Sequence, residues 1–586
     1  MSDRRDDASE APDAGRGGAD PAAAPGARSG GREADGRDGR PATGPTEAEG
    51  RARRGPTRPW AGGRPILDHP AFGLVFFLAL SVVWSWPLAL HPATVTVTLH
   101  FDQFPAAWLV YAAPTFNDGL SELAMWPDGQ PLVRLDSFLF LALAFLLNGQ
   151  LPGLLVTNLF VLLGPPISAW AAERFAREVL DVPRPASLIA GIAFGFAPLA
   201  TVAALEGHVY YLLDPWLPLC ALYTWQKRAG PAVACFALAL ASTAYLGVNA
   251  LLLMGVILAH QRRVDARLLS GVGVIGGLYA VFYVGGQVVT GATAGGQDFE
   301  SLMRVGSASL TTLVAWNAWI DQNRHSLAPI LGLVPLCFAL LAPVARVPWR
   351  PWLPLGLLTV VLTFGPVLEA GVSREGGVPT PLWPLHALGV FDVYRFPVRF
   401  GWVTALVFGA LAARVAGRMR WAWLAVGLAA IDAIVVSGAF TRMRPHPTPT
   451  PSLYGLLPQG AVLDLYPRVG SLQEDIAFYQ QNLSCYYQIF HGRPILERCL
   501  NTDIRSSPRL VVSDALHAAA LDDRPILPIL QERRIASVVL HADLYQPFER
   551  AALRTELTEA LGEPMGEGHD GGEWLVAWRV PADPRE

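Results

Sequence analysis

Charge is scarce in this sequence: Asp, Glu, Lys and Arg make up only 16% of its 586 residues, where a soluble domain carries about 25%. That shortage excludes an ordinary water-soluble globule of this length. Cysteine is scarce too, and five in the whole chain exclude a disulfide-stapled scaffold. Cys220, Cys235 and Cys337 sit inside apolar runs, where they read as small hydrophobes. A net charge of −4 lacks the basic excess of a nucleic-acid binder. The N-terminus has no apolar run within its first ~30 residues and so does not read as a secretory signal peptide. The polar C-terminal quarter has no nucleophile elbow, no phosphate loop and no His/Cys metal spacing.

Apolar residues are abundant instead. They make up 52% of the chain, and the mean hydropathy is +0.32 even though both ends are polar, so the middle must be far more apolar than the mean. Residues 1–66 are almost wholly Gly, Ala, Pro, Arg, Asp and Glu. Such a segment buries too little surface to offset its ordering entropy, so a disordered tail is expected. Arg51, Arg53, Arg54, Arg58 and Arg64 lie just before the first apolar run, which assigns this tail to the cytoplasm.

The first span is Ala71–Leu90, long enough for a ~30 Å hydrocarbon core. A polar-aromatic loop follows from His91 to about Asp136, then an apolar stretch 137–171 broken at Asn148–Pro152. Further runs cover about 186–205, 208–224, 229–244, 245–259, 268–288, 328–344, 353–370, 398–413 and 421–440, about 11–13 spans in all. Basic residues gather in alternate loops: Arg174/Arg177/Arg184, Lys227/Arg228, Arg262/Arg263/Arg267, Arg346/Arg350 and Arg414/Arg418/Arg420. By the positive-inside rule that alternation leaves everything after about Phe440 outside the cytoplasm. The expected architecture is an α-helical polytopic membrane domain, 67–440, followed by a small soluble extracytoplasmic α/β domain, 441–586. In the latter, Ala461–Tyr466, Ile535–His541 and Trp574–Val580 read as strands. Gln546–Leu561 reads as an amphipathic helix stopped by Gly562.

Four polar groups stand out. In HFDQF (His100–Phe104), Asp102 sits where the first external loop meets the bilayer. There a carboxylate can deprotonate an acceptor hydroxyl; the plain alternative is a solvated loop acid. In FDVYRFPVRF (Phe391–Phe400), Arg395 and Arg399 are four apart and share a face if the helix starts early. Two guanidiniums there suit a phosphate or pyrophosphate, or simply snorkel to headgroups. Glu206 and His208, with Tyr210, Tyr211 and Asp214 close behind, form a polar turn between two spans that is either functional or a turn cap. Trp316, Trp319, Asp321, Arg324 and His325 can stack on a sugar or anchor at the interface. In the tail, Cys485 and Cys499 flank a His491–Pro494 turn. Two strands joined there would permit a disulfide, and two unpaired buried thiols are the alternative.

The pieces FDQFPAAW, MWPDGQPL, LLVTNLFVLL, FGFAPLATVAALEGHVYYLLDPWLPL, DVYRFPVRF and YGLLPQGAVLDLYP occur in this order over residues 70–586. Together they resemble bacterial membrane glycosyltransferases of the GT-C superfamily. The closest likeness is to the branch related to protein O-mannosyltransferases and lipid A aminoarabinose transferases. The resemblance implies a multi-pass protein of the bacterial cytoplasmic (inner) membrane. Such an enzyme moves a sugar from a polyprenyl-phosphate-linked donor to an acceptor outside the cytoplasm, with inversion and without a metal ion or other cofactor. It gives Asp102 the part of general base. Arg395 and Arg399 become phosphate-binding candidates by position, with Glu206 and His208 as further substrate contacts. Many relatives carry Asp-Glu where this chain has Asp102-Gln103, which puts a second acid or a metal site in question. The rival class is a non-catalytic membrane protein of envelope polysaccharide or lipid transport or assembly, but no internal repeat of the transporter kind is visible.

Overall fold

In a computed structural model the chain forms two compact units, Met1–Gly63 and Arg64–Glu586. The described residues are 69, 71–97, 103–117, 120–125, 127, 130–131, 137–205, 207–289, 331–365, 367–368, 378–380, 383–384, 397–436, 446–447, 451–467, 474–497, 499, 508–521, 525–570 and 573–582. All belong to the second unit. The tail 1–66, and the calls on Asp102, Glu206, Arg395 and the Trp316–His325 loop, fall outside them.

The apolar region is a helical bundle: α1 Ala71–Trp84, α2 Gln103–Ala112, α3 Phe138–Leu147, α4 Gly153–Leu180, α5 Ser187–Gly195, α6 Pro198–Leu205, α7 Trp216–Trp225, α8 Ala229–Ser242, α9 Ala244–His260, α10 Ala266–Val289, α11 Leu333–Leu340, α12 Trp352–Thr363, α13 Gly401–Ala416 and α14 Ala422–Ile431. Among the described residues, three stretches are long and apolar enough to cross a membrane: Gly153–Leu180, Ser187–Leu205 and Pro397–Ala416. Shorter apolar helices surround them. The first span is shorter as a helix than its apolar run. It stops at Trp84, three residues before Pro87, and a short 3-10 turn Leu88–Leu90 follows. The break at Asn148–Pro152 appears where the sequence places it. Asn148 takes a left-handed conformation (φ 46°) that ends α3, and α4 begins after Pro152.

Every residue of α5 is buried. It lies between α4 and α13, and small residues set the approach: a Cβ at Gly191 would collide with Phe77 and the backbone of Ala169. Close backbone contact of this kind is what holds helices together where lipid removes the hydrophobic drive. Aromatic pairs fill the rest, Trp84 against Phe196, Phe194 against Trp402 and Phe175 against Trp352.

The basic loops meet at one end of this bundle. Buried Glu173 accepts from Arg184 Nε at 2.7 Å, and Arg184 Nη1 reaches the carbonyl of His69, just before α1, at 2.6 Å. Gln226 donates to Glu178 at 2.6 Å, Gln261 to the Trp225 carbonyl at 3.0 Å and Arg418 to the Ala345 carbonyl at 2.6 Å, while Gly417 lies against Pro183. Residues 69, 173–184, 225–228, 260–263, 345 and 417–418 are thus joined by direct contacts.

The C-terminal region is an α/β domain, as the sequence leads one to expect. Its sheet has strands β1 Ala461–Leu465, β2 Ile535–His541, β3 Gly566–Asp570 and β4 Glu573–Arg579 in the order β1-β2-β4-β3. β1 pairs parallel with β2, and the other two pairings are antiparallel. Its helices are α15 Leu453–Leu456, α16 Glu474–His491, α17 Pro508–Leu521, α18 Leu527–Glu532 and α19 Pro547–Leu561. Leu463, Leu540, Trp578, Leu530 and Leu557 form its core. Gly562 ends α19 at φ 86°. The sequence reading needs one correction here: Cys485 lies on a helix, α16, rather than on a strand. The two sulfurs are nonetheless 2.09 Å apart, with a Cα–Cα distance of 5.7 Å.

Candidate functional site

The loop after α1 and the α/β domain are built against each other. Val95 and Thr96 pair antiparallel with Pro447 and His446 of the linker that follows the bundle. Farther on, Ile495 N donates to the Leu123 carbonyl at 2.9 Å and Met125 N to the Glu497 carbonyl at 2.8 Å. Phe104 of α2 packs on Tyr486 of α16 with ring centres 4.6 Å apart.

Gln103, the first residue of α2, is buried and fully engaged. Its Oε1 accepts from Thr96 Oγ1 at 2.5 Å, and its Nε2 donates to Asn158 Oδ1 at 2.7 Å and to Thr157 Oγ1 at 3.3 Å. Asn158 Nδ2 in turn donates to the Val95 and Pro92 carbonyls at 2.7 and 2.8 Å. Gln103 therefore bolts the start of α2 to α4. Asp102 is its immediate neighbour in the chain.

Arg399 lies in the 3-10 turn Pro397–Phe400 that leads into α13, and the face it is expected to share with Arg395 falls outside the described residues. Its side chain is buried, with the guanidinium carbon 4.5 Å from the Tyr211 ring centre and 4.1 Å from that of Tyr245. Its carbonyl accepts from Asn249 Nδ2 at 3.0 Å. His208 precedes the 3-10 turn Val209–Tyr211 and packs on both tyrosines, ring centres 6.0 Å from Tyr210 and 5.8 Å from Tyr211. The structure thus brings His208 and Arg399 into one cluster through Tyr211. Tyr245 and Asn249, at the start of α9, complete it; sequence reasoning missed both because they sit inside an apolar run. Their only signal was the spacing of four, which puts them on one helix face.

This cluster lies at the end of the bundle away from the basic loops. Helix α13 starts next to Arg399 and ends at Gly417, against Pro183, a rise of about 24 Å at 1.5 Å per residue. Helix α9 likewise runs from Tyr245 to His260, whose ring stacks on Trp225 at the basic end. The loop after α1 is at that same far end, since α1 begins at the basic end and α4 starts with Gly153 against the Ala107 backbone. His208, Arg399 and the described residues between α1 and α2 therefore share one end with the α/β domain.

Asp214 is buried at the head of α7. Its Oδ1 accepts from Leu217 N at 3.2 Å and its backbone N donates to Ser168 Oγ at 2.8 Å, the geometry of a helix cap. Asp432, which the sequence reading did not single out, caps α11 by accepting from Val334 N at 3.0 Å. Among the described residues no group of three or more His, Cys, Asp or Glu side chains could hold a metal ion.

A second polar cluster lies inside the α/β domain. His541 on β2 is buried, its Nδ1 2.8 Å from Glu573 and its Nε2 3.4 Å from Asp464, which also accepts from Tyr454 Oη at 2.5 Å. Burial disfavours the charged imidazole, but hydrogen bonds to Asp464 and Glu573 outweigh it and raise the pKa to about 9. His491, stacked on Tyr454, moves the other way: burial lowers it to about 4.

No family model matches the chain, and no curated protein does. Among solved structures it is similar over 88% of its length to the arabinofuranosyltransferase AftD from Mycobacteria, at 16% identity and a TM-score of 0.43. It spans 42% of that chain, less than half its length. It is also similar over 87% of its length to the archaeal oligosaccharyltransferase AglB from Archaeoglobus fulgidus in complex with an inhibitory peptide and a dolichol-phosphate, at 13% identity and a TM-score of 0.41, spanning 73% of that chain. A structure of the Archaeoglobus fulgidus oligosaccharyltransferase with Zn and sulfate matches over 82% of this chain and 69% of its own, at 12% identity and a TM-score of 0.44.

Proposed function

We propose that this membrane protein is a GT-C-type glycosyltransferase that takes a sugar from a polyprenyl-phosphate-linked donor and passes it to an extracytoplasmic acceptor. The observation that supports the reading is the gathering of Arg399, His208 and the start of α2 at the one end of the bundle where the α/β domain docks. With the basic loops on the cytoplasmic side, that end faces outward. Asp102 then takes the acceptor's hydroxyl proton as the oxygen attacks the anomeric carbon. The bond from that carbon to the phosphate oxygen breaks, and the electron pair leaves with the lipid phosphate. Arg399, with Arg395, offsets the charge that develops there.

The test uses full-length protein in lipid nanodiscs with a panel of polyprenyl-phosphoryl hexoses and pentoses and a cell-envelope fraction as acceptor. Asp102→Asn should lower sugar transfer by about 10²–10⁴-fold, the usual contribution of a general base. Near-full transfer by that variant would remove Asp102 from the reaction. Translocation of the lipid-linked sugar without cleavage would favour the transport reading instead.

A further inference from the structure

We propose that Gln488 is a positioning residue for Asp102, clasping the helix that follows the candidate base to the α/β domain; its catalytic meaning rests on the transferase reading above. Gln488 lies on α16, is fully buried, and is 380 residues from its partner on α2. Its Oε1 accepts from the indole Nε1 of Trp108, at the middle of α2. Its Nε2 donates to the Leu123 carbonyl, farther along the same loop, and to the Arg493 carbonyl of its own domain at 2.8 Å. One amide therefore joins three backbone segments.

The clasp is itself braced. The Cys485–Cys499 bond ties α16 to the segment 495–499, which holds Leu123 and Met125 through backbone hydrogen bonds. Arg493 donates to the carbonyls of Pro458, Tyr454 and Leu457, fixing the turn that Gln488 grips from within. On its other side α2 is bolted to α4 through Gln103. Helix α2 is thus fixed at its first residue by the bundle and at Trp108 by the α/β domain. Asp102 precedes Gln103 in the sequence, and the proposal is that movement of α2 carries through to it. A displacement of about 1 Å at such a group costs on the order of 10²-fold in rate.

Gln488→Met keeps length and volume while removing both the donor and the acceptor. Hydrogen exchange on the full-length protein should show the amides of Gln103–Ala112 exchanging about tenfold faster, with Ile535–His541 unchanged. Transfer from a polyprenyl-phosphoryl sugar should fall in kcat with KM for the donor held. Gln488→Glu, which keeps the acceptor for Trp108, should recover part of it. If Gln488→Met also loosens Ile535–His541, Trp108→Phe breaks the same bond from the α2 side and leaves the α/β domain whole. Unchanged exchange across Gln103–Ala112 in these variants would overturn the clasp. Loosened exchange with undiminished kcat would overturn its link to Asp102. Normal turnover by Asp102→Asn would remove Asp102 as the base and with it this role of Gln488, and absence of transfer by the parent protein would remove the transferase reading, while the exchange result would still judge the clasp.

Discussion

The guanidinium carbon of Arg399 lies over two tyrosine rings, 4.5 Å from the centre of Tyr211 and 4.1 Å from that of Tyr245. Both are cation–π contacts, and the N–H donors of the guanidinium lie in its plane. Arg399→Ala should weaken binding of a polyprenyl phosphate by about tenfold or more, and Arg399→Lys should recover only part of it because it lacks the planar fork. Tyr245→Leu, which removes one of the two contacts, should cost about 0.5–2 kcal/mol of the same binding energy. Titration of the lipid into nanodiscs, read by native mass spectrometry, checks all three. Equal affinity throughout would leave Arg399 with a purely structural place in the bundle.

Gln103 gives a prediction of opposite kind. Asn158 cannot turn its amide to meet a carboxylate, because its Nδ2 is already committed to the Pro92 and Val95 carbonyls. Gln103→Glu, which restores the Asp-Glu pattern, should therefore set a carboxylate oxygen against Asn158 Oδ1. The expected loss is about 1–3 kcal/mol, with a lower melting temperature. A variant as stable as the parent would mean that the residues around Thr96 and Asn158 rearrange freely.

The Cys485–Cys499 bond reports the side of the membrane as well as the pairing. With the α/β domain outside, a membrane-impermeant maleimide on intact cells should label neither cysteine before reduction and both after reduction and unfolding. Replacing both with Ser should lower the stability of the domain by about 3 kcal/mol in the chain-entropy view. Labelling without reduction would remove the bond and leave the orientation standing. Accessibility only from the cytoplasmic side would overturn both.

His541 makes the α/β domain sensitive to alkali. Its pKa of about 9 in the fold lies above the ~6.5 of an unfolded histidine. Its contribution is therefore complete below about pH 6.5 and is lost as the pH rises through about 9. The difference amounts to roughly 3 kcal/mol. His491, at about 4 in the fold, acts with the opposite sign: what it contributes above pH 6.5 is lost as the pH falls through 4. Thermal unfolding of the full-length protein from pH 6 to 10 should show a declining α/β transition. In His541→Gln that decline should flatten. An unchanged slope would separate His541 from the alkaline limb.

Much of the architecture was legible because it follows from local rules. Pro152 and the polar residues before it break a helix wherever they stand, and Gly562 ends one because it tolerates positive φ. The basic loops could be grouped from charge alone, and the structure brings the same loops to one end. Strand β3 was not legible: Gly566–Asp570 carries no apolar alternation, being an edge strand whose partner β4 supplies the buried face. Cys485 was misread as lying on a strand because the proposed turn, rather than the helical run before it, set the expectation. The aromatic pair around Arg399 was hidden for another reason. A tyrosine in an apolar helix says nothing about which distant segment it will meet, and Tyr245 and Arg399 are joined only by the packing of α9 beside α13.

The bond between Trp108 and Gln488 has a consequence for how the protein is made. The two residues are 380 apart in sequence, and a ribosome adding about 5–20 residues per second needs roughly 20–80 s to cover that distance. During that interval α2 has already emerged with the first part of the bundle, and the surface of Trp108 that α16 will cover is still bare. The nascent chain must keep this site unassembled until its last domain arrives. A chain cut short anywhere before α16 would leave the Trp108 indole and the Leu123 carbonyl without the partners that the finished protein gives them.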